Sequence, residues 1–341
     1  MESECLRVEK KSAEKIRREL LRRNILNLDL RVKGTGDNIL LPLKETEDRS
    51  DLKDFGVLEK ADFEPVEKPP RTYRDLLSLP PQLQEQLPSS FDIVGDICIL
   101  KLTDDLISHK QEIGKAILET KRNLKTVAVD RGVKGEFRIR DLEVIAGQED
   151  LETTHVENNL RFRLDPSRVY FSPRLSTERM RIAQQTEGGK VLDMFAGVGS
   201  FSLTIGRHGS PDEVVGIDLN PDCIEYFSTN IRLNSLEDRV EAYLGDAREA
   251  PLGMGPFDRV IMNLPHGALD FLDTALYLVE EGFIHIYSII EQENVMIYLK
   301  EVMETGKSSN KKLEPSGMRE VHNYSPSQSM MALDLKVTSL P

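Results

Sequence analysis

Apolar residues recur at helical spacing from Ser12 to Asn24, which predicts an amphipathic helix. Two short apolar runs follow, Ile25–Val32 and Ile39–Leu43, around a Gly34-Thr35-Gly36-Asp37-Asn38 turn. Farther on, Ile97-Cys98-Ile99-Leu100-Lys101-Leu102 reads as a buried strand. Thr103 then stands as the cap of a helix running to about Asn123, with Asp104 and Asp105 in its first turn. Leu106, Ile107, Ile113, Ile117 and Leu118 would form one side of it. Short strands are expected at Thr126–Val129, Phe137–Ile139, Glu143–Ile145, Thr153–Glu157 and Leu160–Leu164. Beyond residue 168 the pattern alternates, as in a mainly parallel sheet. Its strands are expected at Val191–Met194, Val214–Asp218, Val240–Leu244, Arg259–Met262 and Gly282–Ser288, with helices at Ser200–Gly206, Asp222–Asn234 and Ala268–Leu278.

These elements divide the 341 residues into four segments, and a chain of this length exceeds one ordinary domain. Residues 1–62 read as a small module and residues 63–90 as a connector. The connector holds Pro65, Pro69, Pro70, Pro80, Pro81 and Pro88, six of 17 prolines, and such a segment resists helix and sheet. Residues 91–167 read as an α+β module, and residues 168–341 as an α/β domain of Rossmann-like type.

Charge narrows the partners. The formal net charge of −13 argues against a general nucleic-acid coat, whose affinity comes from neutralised phosphates. Local fields matter more than the total, and basic residues do cluster: ten Lys/Arg against four acids over Arg7–Lys33, eight against three over Lys115–Arg140, six against two over Arg161–Arg181. Solvated helix faces with internal ion pairs account for such clusters equally well. Cys5, Cys98 and Cys223 form no CxxC pair, so neither a disulfide framework nor a structural metal is expected, and a reducing cytoplasm is. Neither a signal peptide nor a membrane span is expected either.

The strongest chemical signal is Val191-Leu192-Asp193-Met194-Phe195-Ala196-Gly197-Val198-Gly199-Ser200-Phe201. A strand there enters a small-residue turn and then a helix, so backbone N–H groups can approach a ligand. Asp218 ends the next strand, 25 residues after Asp193, where a carboxylate accepts hydrogen bonds from ribose hydroxyls. Asp246, before Ala247, ends the third, where an adenine amino group would lie. The third glycine of a dinucleotide site is missing, and no Lys-Ser/Thr pair follows to hold phosphate. This constellation resembles the class I S-adenosylmethionine methyltransferases and implies their Rossmann-like fold and S-adenosyl-L-methionine as cofactor. Met262-Asn263-Leu264-Pro265-His266 resembles the Asn-Pro-Pro-aromatic turn of amino-group methyltransferases, with Leu264 and His266 departing from it. His266 reads as a loop residue without a role.

Four segments together carry a more specific likeness: Tyr170-Phe171-Ser172-Pro173-Arg174-Leu175-Ser176-Thr177-Glu178-Arg179-Met180-Arg181, the Asp193–Ser200 loop, Asp218-Leu219-Asn220-Pro221, and Asn263-Leu264-Pro265. They are similar to the archaeal and eukaryotic tRNA (guanine-37-N1)-methyltransferases. Phe91-Asp92-Ile93-Val94-Gly95-Asp96-Ile97 and Gly135-Glu136-Phe137-Arg138 match as well, and the small leading module agrees with the archaeal form. The resemblance implies methyl transfer to guanine N1 in the anticodon loop of tRNA by a monomer, with the leading module touching the tRNA body. It implies Glu178 as base, Arg138 as donor to O6 and Asn263 as orienting group. Cofactor contacts are expected from Tyr170, Arg174, Arg179, Asp193, Phe195, Gly197, Gly199, Asp218, Leu219, Asn220, Asp246, Ala247, Asn263 and Pro265. Read alone, Glu178 is more often a surface helix acid ion-paired to Arg174 or Arg181. Two alternatives stay open: a wybutosine-pathway 3-amino-3-carboxypropyl transferase, and a non-catalytic tRNA-binding protein.

Overall fold

Alternation of apolar and polar side chains along Glu2–Glu9 makes this segment a strand, β1, the centre of a small sheet. The computed structural model describes residues 1–44, 52–66, 71–135, 137, 139–325 and 327–340. It divides into two units, Met1–Arg71 and Thr72–Pro341.

In the first unit, β1 lies between β3 (Asn38–Pro42) and β4 (Val57–Asp62), antiparallel to both, and β2 (Lys33–Thr35) extends the β3 edge. Leu6 and Val8 face α1 (Ala13–Arg22) and pack with its Ile16 and Leu20, while Cys5 faces Leu30, Leu40 and Phe63. The outer face of α1 is charged and largely self-paired: Glu14 holds Arg17 and Arg18, and Glu19 holds Arg22 and Arg23, the i,i+3 and i,i+4 pairs of a solvated helix.

The second unit begins inside the expected connector. Residues 73–76 form a 3-10 turn and Pro81–Gln86 forms α2. Tyr73, Leu77, Leu79 and Leu87 are buried against Leu106, Ile113 and Ile117, and the Tyr73 hydroxyl donates to the Pro88 carbonyl at 2.6 Å. Apolar residues between the prolines thus turn residues 72–90 into part of the middle module. Its sheet runs β5 (Asp92–Val94), β6 (Ile97–Leu100), β7 (Thr126–Lys134), β8 (Ile139–Gly147), with β6 and β7 parallel. The expected 103–123 helix is a 3-10 segment, Asp104–His109, followed by α3 (Lys110–Thr120). Thr103 does not cap it; its hydroxyl donates to Gln86 at 2.8 Å.

Strands β9 (Thr153–Glu157) and β10 (Leu160–Leu164) form a hairpin through Asn158 and Asn159, both at positive φ (48° and 59°), the turn geometry that two-residue hairpins favour. Leu160, Phe162 and Leu164 pack into one core shared by Val94, Ile97 and Ile99 of the middle module and by the α/β domain.

That domain is a seven-stranded sheet ordered β13-β12-β11-β14-β15-β17-β16. Strands β11 (Lys190–Asp193), β12 (Glu213–Asp218), β13 (Val240–Leu244), β14 (Arg259–Asn263) and β15 (Gly282–Glu291) are parallel. Val191, Val214 and Ile261 face a core with α4 (Ser176–Gln184), α5 (Ser200–His208) and α6 (Pro221–Leu233). Leu192, Val215 and Ile284 face one with α7 (Leu272–Leu278) and α8 (Val295–Ser308). Burial on both faces explains why the central strands β11, β12 and β14 are apolar along most of their length, whereas the edge strand β13 buries Val240 alone. Two long antiparallel strands, β16 (Lys311–Asn323) and β17 (Gln328–Ser339), close the sheet beyond β15, an addition that the sequence pattern did not announce. Among the described residues no helix is long and apolar enough to cross a membrane.

Candidate active site

Strand β11 lies between β12 and β14, so chain direction across the sheet reverses beside it, and open α/β sheets bind ligands at that point. The strand ends there bring together Asp193, Asp218, Asp246 and Asn263. Between β11 and α5 the chain turns through Gly197 (φ +58°) and Gly199 (φ +85°). A Cβ on Gly199 would stand 2.1 Å from the Phe227 ring, whereas one on Gly197 would meet nothing nearer than the Tyr170 carbonyl at 3.7 Å. Gly199 therefore serves helix packing, and Gly197 keeps the approach to the site open.

The Asp218 carboxylate accepts from the backbone N–H of Gly197 (2.8 Å) and of Asn220 (2.9 Å), which fixes it at the turn. Burial raises its pKa, against the pull of these N–H groups. Asp193 is fully buried. Its Oδ2 accepts from the Ser202 hydroxyl at 2.8 Å, its Oδ1 has no hydrogen-bond partner among the described residues, and burial pushes its carboxyl up to about 7.

A cavity of about 450 Å³ opens over these strand ends. Tyr170, Arg179, Phe195, Gly197, Asp218, Leu219, Asn220, Asp246, Ala247, Asn263 and Pro265 all line it, so most of the expected cofactor contacts converge. Asp193 and Gly199 do not reach its surface; they support the wall from behind. Asn220 contributes mainly structure: its side chain accepts from the Asp222 N–H to start α6 and donates to the Arg168 carbonyl.

Two expected residues are placed elsewhere. Arg174 does not line the cavity; its guanidinium pairs with Asp92 of the middle module (2.9 Å), an acid that also holds Arg140. Glu178 is buried and also absent from the cavity lining. Its carboxylate accepts from Arg181 (2.9 Å), Arg319 (3.1 Å) and the Tyr287 hydroxyl (3.1 Å). The pairing with Arg181 that its helix spacing allowed is present; the pairing with Arg174 is not. Both arginines also hold Asp334, whose carboxyl they and His285 keep at about 2 despite burial. Arg138 lies outside the described residues, although Phe137 beside it lines the cavity.

Other wall residues carried no signal of their own. Arg248 lies 3.8 Å over the Phe271 ring, and Phe271 meets Phe195 edge-on at 4.9 Å. His266 and Tyr324 meet edge-on at 6.0 Å and both line the cavity. Arg248 follows Asp246-Ala247 and could have been read from that loop; Tyr324 and Phe271 become neighbours only through the fold.

The lining fits a nucleoside carrying an amino-acid chain. Among the described residues Asn263 Oδ1 is buried without a partner, a cost that an N–H or O–H donor entering the cavity removes. Fixed carboxylates at Asp218 and Asp246, an open glycine turn and the apolar Leu219 and Ala247 supply what ribose and a purine require.

Comparison with known proteins gives the same picture. Residues 153–315 match the TRM5/TYW2 methyltransferase domain, 73–150 the TYW2 N-terminal domain and 5–51 the tRNA methyltransferase 5 N-terminal domain. The tRNA (guanine(37)-N(1))-methyltransferase Trm5b of Pyrococcus abyssi is 38% identical over 98% of this chain and 99% of its own length. The tRNA(Phe) (4-demethylwyosine(37)-C(7)) aminocarboxypropyltransferase of Pyrococcus horikoshii is 33% identical over 77% of this chain and 95% of its own. The solved complex of aTrm5 and tRNALeu superposes with a TM-score of 0.79 at 36% identity, covering 97% of this chain and 99% of that one. With near-complete coverage at this identity, the chain belongs to the TRM5/TYW2 methyltransferase family.

Proposed function

We propose that this chain is a tRNA (guanine-37-N1)-methyltransferase that uses S-adenosyl-L-methionine. The observation that carries the reading is the convergence of Gly197, Asp218, Asp246 and the unpartnered Asn263 on one cavity, in a chain that aligns end to end with a methyltransferase of that name. Asp218 would hold the ribose, Asp246 and Ala247 the adenine, and the Gly197 turn the amino-acid part. When bound, the cofactor supplies an electrophilic methyl group on a sulfonium.

The protein's share of the chemistry is positioning and a proton. Guanine N1 bears a hydrogen and attacks poorly until it is removed, so a base near N1 and a cation near O6 both lower the barrier. Asn263 orients the guanine edge through its free Oδ1, and Arg138 donates to O6. Glu178 is the base of the matching motif. It lies on α4 beside Arg179 and one turn after Leu175, both of which line the cavity. To meet N1 it must exchange one of its arginine contacts for the guanine edge. The base must leave the anticodon-loop stack to enter the cavity.

The first unit would touch the tRNA body; its resemblance to the tRNA methyltransferase 5 N-terminal domain supports this. Action as a monomer is what the family resemblance implies. Three free, buried cysteines support a reducing cytoplasm.

The test is transfer to an unmodified tRNA transcript from cofactor labelled separately on the methyl or the carboxyl carbon. Methyl label in tRNA, lost when guanine 37 is replaced, is the expected result. Carboxyl label would instead establish the aminocarboxypropyl transfer of the Pyrococcus horikoshii relative, and label from neither would leave a binding protein.

A further inference from the structure

The same cavity is lined by Tyr324 and His266, to which the cofactor contacts proposed above assign no part. Tyr324 stands at the turn joining β16 to β17, 53% exposed, and its ring meets His266 at 6.0 Å and 75°. Both line the cavity next to Asn263 and Pro265. A tyrosine 53% exposed beside a polar turn leaves much of its apolar ring surface in water. Solvating that surface costs free energy, which a flat aromatic partner relieves.

The backbone under both rings is fixed. The Tyr324 N–H donates to the Gln328 carbonyl at 2.9 Å and the Ser325 N–H to the same oxygen at 3.0 Å, which closes the hairpin turn. On the other side, the Ile289 N–H donates to the Pro265 carbonyl at 2.9 Å, which holds the turn bearing His266 against β15. The backbone that carries both rings is therefore in place before any ligand arrives, which lowers the cost of ordering the site.

From this we infer that Tyr324, braced edge-on by His266, is the surface on which the flipped target guanine stacks. The inference rests on the tRNA reading proposed above and adds a residue to it. Asn263 reads the edge of the base, and Tyr324 covers its face. Stacking tolerates any purine, because each offers a π face, so the platform contributes to binding of the base and leaves discrimination to the polar groups. It also gives His266 a task, to hold the tyrosine ring at a fixed tilt.

The test uses the full-length protein and two full-length tRNAs, one with guanine at position 37 for the methylation kinetics and one carrying 2-aminopurine there, whose emission rises on leaving the helical stack and falls when it stacks on an aromatic ring. Tyr324→Ala is expected to raise KM for tRNA about tenfold, the scale of one lost base–aromatic contact. Emission of the bound 2-aminopurine should rise above that of the wild-type complex, while cofactor affinity is unchanged. Tyr324→Phe keeps the ring and should restore both readouts. Wild-type KM and emission in Tyr324→Ala would overturn the inference. So would a change seen only with the probe at position 38, which would give the ring to the neighbouring base. Failure of the parent reading looks different, because the wild-type protein would then neither methylate the tRNA nor alter the emission of the probe.

Discussion

Arg179 and Glu157 form a two-point ion pair, each contact 2.7 Å, with side chains only 1% and 7% exposed. The pair ties α4 to β9, and Arg179 also donates to the Ser172 carbonyl and lies over the Phe171 ring. Burial alone would raise the Glu157 carboxyl, but hydrogen bonds from His155 and Arg179 hold it below its ordinary value. The segment Tyr170–Leu175, which supplies one side of the cavity, is thus anchored by a desolvated salt bridge.

Arg179→Ala removes the two-point partner and leaves the buried Glu157 carboxylate with His155 alone. Breaking a buried pair costs up to about 3–5 kcal/mol, so the urea midpoint should fall by an amount within that limit. Arg179→Ala with Glu157→Gln should recover part of the loss, because no unpaired charge remains. A midpoint equal to wild type in the single variant would show that the carboxylate finds water.

Asp218→Ala should weaken cofactor binding by about 1.5–3 kcal/mol, the worth of hydrogen bonds to a charged group. The loss combines the ribose contact with release of the Gly197 turn, whose N–H the carboxylate holds. Calorimetric titration with S-adenosylhomocysteine measures it. An unaltered affinity would take Asp218 out of the site.

Much of this arrangement was readable before folding. The β11 turn and the acids following β12 and β13 sit on a parallel sheet whose central strands are apolar on both faces, so periodicity and motif agreed. The antiparallel strands were harder. Strand β16 has a single buried side chain, Leu313, and a proline within it, so it reads as polar loop. That omission hid the surroundings of Glu178, since Arg319 and Asp334 come from β16 and β17. Arg174 reads as a cofactor contact from its motif, but its partner Asp92 lies 82 residues away. The prolines of 63–90 masked Tyr73, Leu77 and Leu87, which are spaced too irregularly to register as an element.

Glu178→Gln keeps the shape of the side chain and removes its basicity. We expect single-turnover methyl transfer to slow about 100-fold or more, the usual worth of a positioned base, with cofactor affinity unchanged. Because Glu178 also pairs with Arg181 and Arg319, thermal unfolding must be followed in parallel. A rate that is normal for the folded fraction, with a lowered Tm, would make Glu178 a structural anchor alone.

Asp193 predicts a pH dependence. Burial and the nearby Asp218 charge raise its carboxyl from an ordinary 3.8 to about 7. Between those values the folded protein retains a proton that the unfolded chain has released. Stability at this site is therefore full below about pH 4, falls as pH rises towards 7, and is level above that. The total is of order 1–4 kcal/mol. Asp193→Asn cannot ionise and keeps an acceptor for the Ser202 hydroxyl, so its stability relative to wild type should climb across this window. Urea denaturation of both proteins at pH 4, 5, 6, 7 and 8 gives that difference directly. Groups that titrate alike in the two proteins cancel from it, so a difference that does not vary with pH would mean that Asp193 ionises as it does in the unfolded chain.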